Sequence, residues 1–219
     1  APAAYAGGAD DDTLTINGEL EMTTKAPAPE HLEEVFDEVI SGWHFRSDET
    51  QQLETDDFDN PGMIFVDQAT DMWNTAEGSE GKSCADCHGD ASESMKGLKA
   101  QMPKWNAAKD TLFTLEDHIN WSREEHQQAE PWKWESQEML AMTSYIGLQS
   151  RGMPVKVKTD GPAAEWWKQG EKLYYTRVGQ LDMACAHCHE NNYGNMIRAD
   201  HLSQGQTNGF PVYRLKWQG

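Results

Sequence analysis

At 219 residues the chain is long enough for one large or two small domains. Hydrophobic residues make up only 37%, fewer than in an ordinary globular chain, while aromatic residues reach 10% and include nine Trp. The formal net charge of −19, from 37 acidic against 18 basic side chains, argues against nucleic acid as a partner, and no apolar run approaches the ~18 residues of a membrane span.

In chain order, residues 1–28 are rich in Ala, Gly, Pro and Asp around Asp10-Asp11-Asp12, and read as a weakly ordered or strand-like lead-in. The opening Ala1-Pro2-Ala3-Ala4 lacks a basic region and an apolar core, which suits a mature end left after signal removal. Leu32, Val35, Phe36, Val39 and Ile40 recur at helical spacing and predict an amphipathic helix over 29–42. The polar stretch 44–62, with Asn60-Pro61-Gly62 at its end, reads as a loop.

All four cysteines lie in Cys84-Ala85-Asp86-Cys87-His88 and Cys185-Ala186-His187-Cys188-His189. Cys-x-x-Cys-His is the attachment signature of c-type haem: two thiols add to the porphyrin vinyls as thioethers, and the adjacent His ligates the iron. A zinc ribbon would space its pairs by roughly 15–20 residues, and a thioredoxin-like pair would need a βαβ context. Two covalent haems, on Cys84 and Cys87 and on Cys185 and Cys188, with His88 and His189 as proximal ligands, are therefore expected. Covalent haem attachment in bacteria takes place outside the cytoplasmic membrane, so the periplasm follows.

The pentads lie 101 residues apart, and the same offset aligns Ala69, Met72 and Trp73 with Gly170, Leu173 and Tyr174. A small residue followed by an apolar–aromatic pair marks one face of a helix ahead of each pentad. The stripe Met139, Leu140, Met142, Tyr145, Ile146, Leu148 predicts a closing helix over 135–149, followed by a linker over 150–162. Only 30 residues follow His189, without a helical stripe. The second copy is thus expected to borrow a closing helix, for which 29–42 is a candidate, or to lack one in this chain. The expected fold is mainly α: an N-terminal extension over 1–54 and two class I cytochrome c-like haem domains over 55–152 and 153–219, the second incomplete.

Several strings resemble the SoxA family, the larger subunit of the SoxAX cytochromes. They are 57–63 (Asp-Phe-Asp-Asn-Pro-Gly-Met), 81–90 around the first pentad, Gln149-Ser150-Arg151-Gly152-Met153-Pro154, 203–211 (Ser-Gln-Gly-Gln-Thr-Asn-Gly-Phe-Pro) and Tyr213-Arg214-Leu215. The resemblance implies a SoxX-like monohaem cytochrome subunit as partner. It also implies conjugation of thiosulfate to a cysteine of a sulfur carrier protein, with loss of two electrons. It places an axial Cys in an Ile-Asn-x-Cys-Arg context, which here reads Ile119-Asn120-Trp121-Ser122-Arg123. The family's second axial Cys, which carries a persulfide, belongs beyond Tyr213-Arg214-Leu215-Lys216-Trp217, where this chain stops.

With serine a poor iron ligand, His118 and His126, one turn either side of Ser122, are candidate sixth ligands of the first haem, ahead of Met142 or Met102. Their alternative is a place on a polar helix surface. An imidazole there would raise the haem potential relative to a thiolate, which stabilises the ferric state. For the second haem the candidates are His201 and Met196, whose alternatives are a polar loop residue and a packing residue. His187 should point away from its own iron, and His31 and His44 are expected at the surface. The function expected is electron transfer in thiosulfate oxidation, with an S-thiosulfotransferase subunit as the alternative. The acidic charge suits a basic redox partner or the sulfur carrier protein, or serves solubility alone.

Overall fold

The computed structural model describes residues 13–206, which fall into two compact units: 13–59 together with 165–206, and 60–164. The strings expected at 207–211 and 213–215 lie outside the described residues.

The first unit begins with two small hairpins. Strands β1 (Thr13–Ile16) and β2 (Leu20–Thr23) pair antiparallel through Asn17-Gly18, both at positive φ (54° and 70°), with Glu19 N donating to Ile16 O at 3.0 Å. That is the primed turn whose twist matches paired strands, and Asn-Gly is its preferred sequence. Leu14, Ile16 and Trp43 are buried together beneath it. Strand β3 (Lys25–Pro27) pairs with β4 (Glu38–Ile40).

The helix expected over 29–42 is therefore not formed. Glu30–Leu32 makes a single 3-10 turn, and Val39 and Ile40 lie in β4. Of the five apolar residues in the pattern only Phe36 is fully buried, and Val35 is exposed. A helical stripe with nothing to cover it loses to β-branched residues that find a strand partner. The Gln204 side chain then extends the edge of β4, accepting from Ile40 N at 2.7 Å and donating to Glu38 O at 3.2 Å.

The stretch expected as a loop contains helix α1 (Asp48–Thr55), capped by the Ser47 hydroxyl. Its buried residues are Gln51 and Glu54, polar ones that apolar periodicity passes over; Gln51 Nε2 donates to Trp43 O at 3.0 Å. His44, expected at the surface, is instead buried, with Nε2 2.8 Å from Thr24 Oγ1.

The second unit is helical. Helix α2 (Gly62–Asn74) leads through a turn to α3 (Cys84–His88) and the short α4 (Ala91–Ser94). A hairpin of β5 (Lys104–Asn106) and β6 (Thr111–Phe113) feeds α5 (Leu115–Ser122), which continues as a π-helical turn over Arg123–Gln127. Helix α6 (Gln137–Leu148) closes the unit where the sequence predicts it. Helices α2 and α6 pack together, with the Trp73 and Tyr145 rings 5.9 Å apart and Gln137 Nε2 donating to Gln68 Oε1 at 3.0 Å. Ala69, the predicted small residue, is completely buried on α2. Trp73, Met95, Leu115, Met142 and Ile146 form the core.

The first unit is completed by α7 (Ala164–Tyr175), α8 (Cys185–His189) and a two-residue ladder of β7 (Met196–Ile197) with β8 (Asp200–His201). No residue of α7 is fully buried, and a Cβ on Gly170, the counterpart of Ala69, would meet nothing within 4 Å.

In the turn between α2 and α3, Gly78 has φ +67°, and a Cβ there would overlap the Gln127 carbonyl. Ser79 N and Glu80 N donate to the carbonyls of Gln128 and Gln127. Gly78→Ala is expected to cost about 3 kcal/mol, from overpacking combined with a left-handed backbone. Equilibrium denaturation of the holoprotein measures it; a change below about 1 kcal/mol would show that this close approach is easily relaxed.

Candidate haem site

The first pentad is a five-residue helix with a reciprocal cap. Ser83 Oγ accepts from Asp86 N at 3.1 Å, and Asp86 Oδ2 accepts from Ser83 N at 2.8 Å. Hydrogen bonding from the Ser83 backbone, and then from its side chain, holds the Asp86 carboxyl below the usual carboxylate range. Positions i and i+3 of one helical turn put Cys84 and Cys87 on one side. Gly89 ends the turn at φ +67°, its N donating to Ala85 O at 2.8 Å, while Trp73 Nε1 donates to Gly89 O at 2.9 Å. The His88 ring lies 5.8 Å from Trp73.

Beside this turn lies a cavity of about 310 Å³, within the range of cofactor sites. Cys84 and His88 line it together with Leu98, Leu115, Ile119 and Ile146. From α5 and the following turn, His118, Trp121, Ser122 and His126 reach the same space, as do Met102 and Met142. All the sixth-ligand candidates for the first haem therefore gather around one cavity with Cys84 and His88, while Cys87 is exposed and outside its lining.

Two buried ring nitrogens, His118 Nε2 and Trp121 Nε1, have no hydrogen-bond partner. Unpaired buried polar atoms in an apolar cavity mark a missing partner. Burial, with the Lys104 charge, pushes the His118 imidazole below its usual range, partly opposed by Asp117, so it is held as the neutral base that a metal binds. Burial likewise pushes the Cys84 thiol up, partly offset by Arg123, which suits an uncharged thioether. The residues present thus fit a covalently held haem, with Cys84 and Cys87 as attachment points and His88 as ligand.

The string from 119 to 123 has a physical basis. Asn120 exchanges two 2.9 Å bonds with the Trp132 backbone. Arg123 is buried, with Nη1 2.6 Å from Glu77 Oε2, Nε donating to Glu130 O at 3.1 Å, and its guanidinium 3.9 Å over the Trp132 ring. These anchors turn Ile119 and Ser122 toward the cavity. Sequence reasoning left Arg123 and Trp132 without a role; the signal for them was an arginine and an asparagine within an otherwise amphipathic helix.

The second pentad is arranged differently. Ala184 cannot cap with its side chain, and His187 Nδ1 accepts from Ala184 N at 2.8 Å, standing where Asp86 stands in the first copy. His189 Nδ1 lies 2.8 Å from Ser203 O. A carbonyl only accepts, so Nδ1 carries the proton and Nε2 is left with its lone pair for a metal. Gly205, at φ +80°, lets the chain pass this ring: a Cβ there would sit 3.7 Å from His189 Nδ1. Met196 and His201 are strand partners across the small ladder; Met196 is exposed, His201 half-buried, and the His201 carbonyl accepts from Arg46. His31 is exposed, its ring 6.3 Å from that of Trp167.

Arg123→Ala leaves the Glu77 carboxylate half-covered and uncompensated, and is expected to destabilise the protein by about 3 kcal/mol. Arg123→Lys keeps the charge but loses the planar fork, so it should recover only part of that loss in the same denaturation experiment. Full recovery by Lys would mean that charge alone matters here.

Comparison with known proteins places this geometry in a family. A model of the SoxA/TsdA cytochrome c domain matches residues 68–155. The L-cysteine S-thiosulfotransferase subunit SoxA of Rhodovulum sulfidophilum is 53% identical over 206 residues, covering 94% of this chain and 72% of the relative. Its counterpart from Paracoccus pantotrophus is also 53% identical, covering all of this chain and 76% of the relative. The crystal structure of SoxXA from P. pantotrophus superimposes with a TM-score of 0.88 at 52% identity, over 94% of this chain and 78% of that one. With a mainly α cytochrome fold, an attachment turn opening on an apolar cavity, and identity above one half to these proteins, the chain belongs to the SoxA family of c-type cytochromes.

Proposed function

We propose that this protein is a periplasmic dihaem cytochrome that transfers electrons during SoxA-type oxidation of thiosulfate. The observation that carries the proposal is the cavity beside the first pentad, whose wall combines attachment cysteine, proximal histidine and unpaired ring nitrogens. The bound haem supplies a one-electron redox couple. Cys84 and Cys87 hold one macrocycle and Cys185 and Cys188 a second. His88 and His189 would bind the irons, and the bond from His189 to the Ser203 carbonyl fixes that ring's tautomer. The apolar wall of Leu98, Leu115, Ile119 and Ile146 keeps water from the first site.

A SoxX-like monohaem subunit is the partner that the likeness to the SoxXA complex supports. The charge of −19 suits a further contact with a basic redox protein or with the sulfur carrier protein. Among the described residues, no helix is long and apolar enough to cross a membrane.

A second reading follows from the relatives' names. As an S-thiosulfotransferase subunit, the protein would promote formation of an S–S bond between thiosulfate and a carrier-protein thiol. The thiol proton would be released, and the two electrons set free by S–S bond formation would need bound haem as their acceptor. Every cysteine of this sequence stands in a pentad. Incubating the holoprotein with thiosulfate and a carrier thiol separates the two: mass spectrometry of the carrier reports conjugation, and unchanged carrier with haems that still exchange electrons leaves the electron-transfer reading.

A pyridine haemochrome assay is expected to give two haems per chain, resistant to acid–acetone extraction. Cys87→Ser should leave the first haem on a single thioether or lose it, with the second retained. One haem in the unmodified protein would overturn the dihaem assignment. Electron exchange with a basic cytochrome should slow as ionic strength rises, because long-range attraction is screened. A rate independent of salt would leave the acidic surface with a role in solubility alone.

A further inference from the structure

The His118 ring projects from α5 into the cavity beside the first pentad, one turn before Ser122. Its Nε2 is buried without a hydrogen-bond partner. The Phe113 ring, 5.1 Å away, packs against the imidazole and limits its rotation. The neighbouring Asp117 is engaged with the Thr114 backbone and hydroxyl at the start of α5, where it caps the helix. A fixed and unpaired imidazole nitrogen in an apolar cavity that also holds His88 is the arrangement a metal ion completes.

The other donors around the cavity have different engagements. Met142 is 1% exposed within the core cluster, and Met95 is packed in the same cluster. His126 is exposed, its ring set against Trp121 at 5.3 Å. The π-helical turn that begins at Arg123 takes His126 out of α-helical register with Ser122. Met102 is half-buried against the core.

We infer that His118 Nε2 is the sixth ligand of the iron whose proximal ligand is His88, making the first haem a bis-imidazole site. The inference rests on the haem-binding function proposed above. A site closed by two imidazoles is low-spin and six-coordinate, so exogenous ligands gain no direct access to the iron. It moves electrons and does not bind substrate at the metal.

The test uses the holoprotein, with haem content measured in every sample. Ferric wild type is expected to show the near-infrared magnetic circular dichroism band of bis-imidazole haem. His118→Ala should retain both haems but convert one to a high-spin form, and added imidazole should return it to low spin. His118→Met should exchange the bis-imidazole band for an imidazole–thioether one, while His126→Ala should match wild type. Low-spin signals unchanged in His118→Ala would overturn the assignment, as would their loss in His126→Ala. Should neither His118 variant accumulate, the doubly substituted His126→Ala, His201→Ala holoprotein decides. A retained bis-imidazole band supports His118, and its absence removes His118 from the iron. Absence of the first haem from wild type would instead overturn the underlying haem assignment, which the haem count reports separately.

Discussion

The arginine at 123 is the point on which the second unit turns. One buried guanidinium satisfies the Glu77 carboxylate, the Glu130 carbonyl and the face of the Trp132 indole. Glu77 belongs to the turn that delivers the first attachment helix, and Trp132 to the segment ahead of α6. A single cation therefore ties the approach to the pentad to the end of α5. The π-helical turn begins at this residue, and its carbonyls at Gln127 and Gln128 receive the backbone of 79–80. Widening the helix by one residue costs regular hydrogen bonding, and such insertions persist where they aim side chains at a site. Here the turn follows the two ring-bearing residues, His118 and Trp121, whose nitrogens are left unpaired in the cavity.

The two halves share a motif but not an environment. In the second unit a small residue, Ala69, is fully buried on a helix packed against α6. In the first unit the equivalent Gly170 faces open space, and Trp166, Leu173 and Tyr175 of α7 are exposed. Among the described residues α7 has no counterpart of α6. Around α7 and α8 the described contacts are local polar bonds: Gln204 along the edge of β4, His187 at the start of the attachment turn, and Tyr175 donating to Glu190 at 2.7 Å. That last bond pushes the Tyr175 hydroxyl up to about 12.

What was legible in the sequence follows the same division. Helices α2 and α6 were readable because their apolar residues have a partner to bury against, and Ala69 marked the close approach. The pattern at 29–42 had equal periodicity but no partner, and became one short turn and a strand. Helix α1 was missed because Gln51 and Glu54 form its buried side, and His44 because a histidine bonded to Thr24 looks, in sequence, like any surface histidine. Cys84, His88 and the sixth-ligand candidates named from sequence line one cavity, and the pentad was legible because attachment chemistry requires adjacent residues. Choosing between His118 and His126 was not possible from sequence, because both lie four residues from Ser122. Only the change of helical register after Arg123, together with burial, sets them apart.

On the dihaem reading proposed above, all four cysteines of this sequence serve as attachment points. At the first site Ser122 stands where the family resemblance places an axial Cys, and serine is a poor iron ligand. Nitrogen and thioether donors are then the strong-field ligands left to the first site, and both favour the ferrous state more than a thiolate does. A higher potential makes such a site a better acceptor of electrons from sulfur oxidation and a weaker donor to low-potential partners. The field of 37 carboxylates acts the other way, since negative charge stabilises the ferric state. Two carboxylates of this segment are bonded to other groups, Asp86 to Ser83 and Glu77 to Arg123. Arg123 compensates the Glu77 charge, whereas hydrogen bonding from Ser83 keeps Asp86 ionised at the start of the attachment helix.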